Sequence, residues 1–220
     1  MAEVLEWDWV ERHADDIQRY SIEHLELVGA SLALAIAVSI PIAILVRGRR
    51  VPFLTANLAS GALYTIPSLA MFAFLLTFVG IGFEPAVIAL AIYCLNMIIR
   101  NTVIGLEGVP PPVREAARGM GLTSWQILTR VELPLALPAI IAGIRLAAVS
   151  TVGIATIAVF VGAGGLGVLI YNDGIQRALF VTPILVGAVV ATAMAIVIDL
   201  LLLGLERALT PWQRARGARS

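Results

Sequence analysis

The chain contains no lysine, one cysteine and two histidines among its 220 residues, so all fifteen of its basic residues are arginine. Without lysine it cannot carry a Walker A loop, because the lysine of that loop is the group that reaches the nucleotide phosphates. A single cysteine, Cys94, cannot form an intrachain disulfide or a cysteine-rich metal site, and we expect it to pack in an apolar helix. The sequence therefore predicts no metal site and no cofactor bound by this chain itself.

Charged residues are also few. They make up 14% of the chain, whereas 60% of its residues are hydrophobic, and the mean hydropathy is +0.94. This composition is typical of an integral membrane protein and not of a soluble domain. Because every backbone amide in lipid must be paired within its own segment, we expect an all-α membrane protein whose helices cross a hydrocarbon core of about 30 Å.

Five apolar segments are candidate spans, at 25–46, 51–83, 85–99, 135–160 and 180–205. The second has no charged residue and contains Pro67. It is too short for two full spans and a turn, so we interpret it as one long, kinked span. Six spans, with this segment split at Pro67, is the alternative, and it would invert the second half of the chain.

Arginine placement predicts the orientation of the five spans. An external N-terminus and a cytoplasmic C-terminus agree with the excess of basic residues found in cytoplasmic loops. Three arginines then lie outside, Arg12, Arg19 and Arg177, and eleven lie inside, Arg47, Arg49, Arg50, Arg100, Arg114, Arg118, Arg130, Arg207, Arg214, Arg216 and Arg219.

The ends of the chain differ in charge. Residues 1–24 are acidic and lack the basic start of a signal peptide, so we expect them to remain as an external amphipathic segment, or as a solvated helix leading into the first span. Residues 206–220 are expected to form a basic cytoplasmic tail. Between them, 25–205 form the predicted transmembrane domain, in which 100–134 is a cytoplasmic loop.

The loop at 100–134 has signals for two short helices. Three prolines at 110–112 favour a helix start, Gly121 permits a turn, and Ser124 is a candidate cap for the second helix. Small side chains at Ala116 and Ala117 would allow another protein to approach closely. We therefore interpret the loop as a docking element, and an ordinary amphipathic loop between spans is the alternative.

The spacing E-A-A, three residues, G, nine residues, V-E-L-P resembles the cytoplasmic signature of the binding-protein-dependent transport permeases, with valine in place of the usual isoleucine. The resemblance implies the fold of a type I ABC importer permease, whose loop seats in a groove of a cytoplasmic ATPase subunit that binds ATP and Mg. The predicted contacts with the ATPase are Glu115, Ala116, Ala117, Arg118, Gly121, Trp125, Leu133 and Pro134.

Three further segments, at 64–70, 101–102 and 162–170, are similar to osmoprotectant permeases, which import glycine betaine, choline or carnitine. This resemblance implies an external solute-binding protein, a second permease that is identical or paralogous, and a prokaryotic inner or plasma membrane. Nucleic acid is not expected as a partner. An importer of methionine or another small solute, and a stand-alone secondary transporter or channel, are the alternatives.

The predicted translocation pathway runs past Thr65, Pro67 and Ser68, because a proline frees a backbone carbonyl and the two hydroxyls flank it. The same hydroxyls could instead only satisfy the broken helix. Tyr64, Phe72 and Phe74 could touch the solute, although packing is the alternative for them. An enzyme is not expected, since no pairing of a nucleophile with a base is visible and both histidines, His13 and His24, lie in the external segment.

Two other features have open roles. A glycine run matches a dinucleotide-binding pattern, but no strand is expected before it, so we interpret it as a tight outer turn. Arg145 and Asp199 lie inside spans, where charges are expensive, so we expect them to pair with each other or to satisfy backbone groups or a subunit interface. The glycines of the outer turn are Gly162, Gly164, Gly165 and Gly167.

Overall fold

The computed structural model describes residues 5–212, and within that range the chain is helical, without a strand. Eight residues of the predicted tail, 213–220, which include Arg214, Arg216 and Arg219, lie outside the described residues. The α-helices are α1 Trp7–Arg12, α2 Ala14–Val46, α3 Arg50–Thr65, α4 Ser68–Val79, α5 Phe83–Glu107, α6 Pro111–Gly119, α7 Ser124–Ile127, α8 Leu133–Ala155 and α9 Val181–Leu209. A π-helical segment, Leu128–Glu132, joins α7 to α8, a 3-10 helix, Thr156–Val161, follows α8, and a second π-helical segment, Leu169–Ile175, precedes α9.

Four continuous helices in the described range are long and apolar enough to cross a membrane: Ala14–Val46, Phe83–Glu107, Ser124–Val161 and Val181–Leu209. The bent pair formed by α3 and α4 provides a fifth span if its two helices count together. The all-α membrane fold with about five spans is therefore confirmed.

The break at Pro67 is much sharper than the expected kink, because the axes of α3 and α4 meet at 97°. Ile66 is extended, with ψ at 128°, as expected for a residue whose helical conformation clashes with a following proline. With 16 and 12 residues, the two helices are about 24 and 18 Å long, so neither alone spans about 30 Å of hydrocarbon. The segment is therefore a sharply bent pair of helices, either a broken span or a re-entrant loop, and not the one long, kinked helix expected from the sequence.

The predicted loop at 100–134 is mostly helical. Helix α5 continues eight residues past the expected end of its span, because no proline stops it before Pro110. The cap of α7 is Thr123 and not Ser124. The Thr123 side chain accepts a hydrogen bond from the backbone of Gln126, whose side chain accepts one from the backbone of Thr123, a reciprocal capping box.

Helix α5 is the centre of the fold and packs against α2, α3, α4 and α8. Its contact with α8 is close because glycines lie at the crossing: a Cβ at Gly105 would lie 2.8 Å from the Cβ of Ala139, and one at Gly143 2.6 Å from the Cβ of Asn101. Small residues at such crossings let helices approach where lipid offers no hydrophobic driving force. Cys94 is buried, as expected, with its sulfur 3.0 Å from the Thr151 hydroxyl.

The described part of the N-terminal segment packs onto the start of α9. The Trp9 ring meets Phe180 edge to face, with centroids 5.9 Å apart, and the Glu6 backbone donates a hydrogen bond to the Thr182 hydroxyl at 3.0 Å. From Ala14 onward the chain continues without a break into the first span. Helix α9 itself is little buried, so one side of it is open to lipid or to another subunit.

Candidate functional site

Helix α6 presents one side to its own chain and the other side outward. Its first residue is Pro111, directly after the N-cap Pro110, and a proline at this position lacks only an amide hydrogen that a first helical turn leaves unpaired in any case. Ala117 is 2% exposed, whereas its neighbours Ala116 and Arg118 are exposed. Ala117 therefore fixes the helix to the protein, contrary to the expectation that both alanines are open to a partner.

Two large apolar side chains lie exposed at the end of α6 and on the following helix, α7. Met120, at the end of α6, is 72% exposed, and Trp125, on α7, is 69% exposed. Gly121 between the two helices has φ of +79°, which glycine adopts without strain. We define the docking surface as the outward side chains of this region: Glu115, Ala116, Arg118, Met120 and Trp125.

Two further residues predicted to contact an ATPase, Leu133 and Pro134, belong to a membrane helix. Leu133 and Pro134 are the first residues of α8, and Leu133 packs against a core cluster that contains Leu106, Leu128 and Ala136. The V-E-L-P part of the pattern thus joins the docking surface to a membrane helix.

The break between α3 and α4 is exposed on the described chain. Thr65 and Pro67 are exposed and Ser68 is half-buried. The Thr65 hydroxyl donates to the carbonyl of Ala62 at 2.7 Å, so it satisfies the end of its own helix while lying on the surface. The backbone carbonyl of Ile66 accepts a hydrogen bond of 2.8 Å from the Tyr93 hydroxyl, which ties the break to α5.

Aromatic side chains differ in their access to this break. Tyr64 is 40% exposed, and its ring meets that of Tyr93 edge to face, with centroids 5.9 Å apart. Phe72 is fully buried, so it packs in the core and does not reach a solute. Phe74 is exposed and its ring contacts that of Phe78 in a tilted arrangement, with centroids 5.0 Å apart.

The glycine run forms a turn that closes on α2. Positive φ values of 74°, 75° and 77° occur at Gly162, Gly164 and Gly165. The Gly165 amide donates to a Glu23 carboxylate oxygen at 2.9 Å. A Cβ at Gly164 would collide with the same carboxylate, and one at Gly167 with the carbonyl of Thr156. Glycine is therefore needed here for close approach as well as for backbone conformation.

His24 completes this junction and is fully buried. Its Nδ1 accepts the amide hydrogen of Leu166 at 3.3 Å, and its Nε2 lies 3.0 Å from the carbonyl of Val152. One ring nitrogen accepts and the other donates, which fits a neutral imidazole. Sequence reasoning missed Glu23 and His24, because their partners lie up to 142 residues away along the chain.

Arg145 and Asp199 form an ion pair between α8 and α9. The guanidinium donates two parallel hydrogen bonds of 2.9 Å to the two carboxylate oxygens. A third contact joins Arg145 to Glu206 at 3.4 Å, one that the sequence did not suggest because Glu206 lies beyond the end of the predicted span. Both candidate charges inside the spans are thus paired within the chain.

Comparison with known proteins identifies a matching family and similar permeases. Residues 29–215 match the family described as "Binding-protein-dependent transport system inner membrane component". The carnitine transport permease protein OpuCB of Listeria monocytogenes is 44% identical over 191 residues, which cover 86% of each chain. The osmoprotectant import permease protein OsmW of Salmonella typhimurium is 41% identical over 196 residues, covering 87% of this chain and 90% of the relative.

A solved structure has the same fold. A chain of the MetNI methionine ABC transporter, in an inward-facing conformation, is 24% identical, with a TM-score of 0.77 over 88% of this chain and 96% of that chain. At this identity the likeness concerns the fold alone.

Proposed function

Because the chain belongs to the family of binding-protein-dependent transport system inner membrane components, we propose that it forms the translocation pathway of an ATP-driven importer for osmoprotectants such as glycine betaine or choline. The observation that carries the substrate class is similarity over most of the chain to permeases named for carnitine and osmoprotectant import, at 44% and 41% identity. ATP and Mg are bound by separate cytoplasmic ATPase subunits, and an external binding protein delivers the solute.

The docking surface is our candidate contact with the ATPase. Its exposed apolar side chains, Met120 and Trp125, have the character of interface anchors, and tryptophan is enriched among the residues that dominate binding energy. Glu115 and Arg118 lie on the outward part of α6 and can set the register of the partner by charge. Movement of the ATPase then reaches α8 along the chain through Leu128–Glu132.

The position of the docking surface supports the proposed orientation. Arg47, the residue directly after the C-terminal end of α2, and Arg114, on α6, both lie within ion-pair distance of Glu132. The basic cluster after the first span and the docking element are therefore at the same end of the bundle. Basic residues concentrate on the cytoplasmic side, so this end is cytoplasmic and the glycine turn is external.

The break at Pro67 is the candidate pathway segment. Irregular backbone at membrane depth is tolerated where it lines a cavity or is covered by protein. In the described chain Thr65 and Pro67 are exposed, as expected of backbone that faces a cavity shared with a second subunit. We propose that two permeases, identical or paralogous, enclose the pathway between their broken spans about a two-fold axis along the membrane normal.

The chemistry of the break fits a quaternary amine in transit. Such cations bind to the faces of aromatic rings, and Tyr64 is half-exposed beside Tyr93. Tight recognition by an aromatic cage belongs to the binding protein, because only 7% of the chain is aromatic.

The test is competition for uptake in vesicles that contain this chain, its ATPase and its binding protein. We expect uptake of radiolabelled glycine betaine or choline that unlabelled betaine, choline or carnitine suppresses and methionine does not. ATP-driven uptake of methionine instead would keep the importer and overturn the osmoprotectant assignment.

A further inference from the structure

Glu132 is a nearly buried carboxylate at the point where the docking element becomes a membrane helix. It ends the π-helical segment Leu128–Glu132, directly before α8, and is 8% exposed. A carboxylate removed from water is unfavourable unless cations compensate its charge. Its chain neighbours Val131 and Leu133 are apolar and partly buried, so the position would otherwise suit an apolar residue.

Two arginines from different elements compensate this charge. One oxygen of Glu132 lies 2.9 Å from Nε of Arg114, on α6, and the other lies 3.3 Å from Nη2 of Arg47, at the inner end of α2. Arg114 also donates to the carbonyl of Leu106, near the end of α5, and Arg47 donates to the carbonyl of Ile44 at 2.8 Å. One carboxylate thus joins α6 to α2, and Arg114 joins α6 to α5.

A second link runs beside the first. The backbone amide of Gly48 donates to a carboxylate oxygen of Glu107 at 3.0 Å, which connects the turn after α2 to the end of α5. A cavity of about 160 Å³ lies between these groups, and Arg118 also lines it. The docking element therefore rests on a charged junction and not only on apolar packing.

The geometry of the junction allows movement without separation. Within the described residues, neither Nε of Arg114 nor Oε2 of Glu132 has an aligned hydrogen-bond partner, although both lie within ion-pair distance of an opposite charge. Coulomb attraction declines slowly with distance and depends less on angle than a hydrogen bond does. The attachment can therefore persist while α6 shifts relative to α2.

We propose that Glu132 is a positioning residue that ties the docking element to the inner end of α2 through Arg47, and that holds Arg114 where it also binds the end of α5, so that ATPase movement reaches these spans as well as α8. The inference rests on the proposed function. Chain connectivity alone would move α8, whereas the first span and the central helix need a separate attachment. Removing the carboxylate charge would also deprive both Arg47 and Arg114 of the carboxylate that they share.

The test uses Glu132→Gln in vesicles that contain the full complex, with uptake and ATP hydrolysis measured per assembled complex. We expect hydrolysis to continue while the solute imported per ATP falls about fivefold or more, the lower range of allosteric coupling between sites. A purely structural role would reduce the amount of complex and leave this ratio unchanged, which would overturn the proposal. Glu11→Gln, which removes an exposed carboxylate from α1, is the matched control and should keep the wild-type ratio.

A double-mutant cycle tests whether Glu132 acts through α2. Arg47→Gln should lower the ratio, and the double variant should be no worse than Glu132→Gln, because both substitutions remove the same contact. If the two single losses in solute imported per ATP add in the double variant, Glu132 and Arg47 act independently, which would contradict the proposed contact between them.

Hydrogen exchange gives a readout that does not depend on transport. In the isolated permease, Glu132→Gln should speed exchange of the amides in 111–121, and Glu11→Gln should not. If the wild-type complex imports nothing with ATP, the proposed function is wrong, and hydrogen exchange alone then decides whether Glu132 holds α6. Unchanged exchange would overturn the positioning role in either case.

Discussion

Arg145 and Asp199 meet in a bidentate ion pair, with two guanidinium nitrogens 2.9 Å from the two carboxylate oxygens. The pair joins α8 to α9, a helix that is otherwise little buried. Parallel hydrogen bonds between arginine and a carboxylate fix geometry as well as charge. The pair therefore explains how two charged residues are accommodated inside spans, and it sets the register between the two helices.

Asp199→Asn should weaken the packing of α9 on α8, because an amide cannot supply two anionic oxygens to the guanidinium. We expect a lower midpoint of thermal unfolding for the detergent-solubilised permease. Glu206→Gln should lower it less, since that contact is single and longer, at 3.4 Å. Equal midpoints for wild type and Asp199→Asn would contradict a stabilising role for the pair.

Gly167→Ala should reduce the yield of folded protein, because the added methyl group would collide with the backbone carbonyl of Thr156. Forcing a group into a packed site typically costs about 1–3 kcal/mol. Gly204→Ala is the matched control, since a Cβ there meets nothing within 4 Å. The recovery of monodisperse protein after gel filtration measures the difference, and similar recovery for both variants would show that the turn has room to adjust.

Trp125→Ala should weaken retention of the ATPase by the permease, because it removes the aromatic anchor of the docking surface. Truncating an anchor of this kind costs about 2 kcal/mol, or roughly a thirtyfold loss of affinity. Trp7→Ala is the control, since Trp7 is 65% exposed but lies on α1, away from the docking surface. Co-purification at several salt concentrations measures the effect. If both variants retain the ATPase equally, Trp125 is not part of the contact.

Tyr93→Phe should loosen the break between α3 and α4, because it removes the hydroxyl that donates to the carbonyl of Ile66. Loss of one such hydrogen bond costs about 1 kcal/mol, and more where the freed carbonyl finds no other donor. We expect slower uptake at wild-type protein levels. Tyr171→Phe, on the second π-helical segment, serves as the control. Normal uptake by Tyr93→Phe would show that this hydrogen bond is not needed to hold the break for transport.

The sequence was sufficient to predict the membrane class, the approximate number of spans and the two short helices within 100–134, because hydropathy and the signals of helix starts and turns are local properties. It could not predict how far the chain turns at Pro67, since proline marks a break and the angle depends on packing with Tyr93. It also could not separate outward Ala116 from inward Ala117. The contacts of Glu23 and His24 with the glycine turn were missed because they join distant parts of the chain.

Uptake with and without ATP tests the central claim most directly, using vesicles with the complete complex and either wild-type permease or Glu115→Lys. We predict ATP-dependent uptake by the wild type, and for Glu115→Lys at equal protein levels we predict ATP hydrolysis without matching uptake. Solute flux through the permease without ATP, or full uptake by Glu115→Lys, would contradict an importer that is driven through this docking surface.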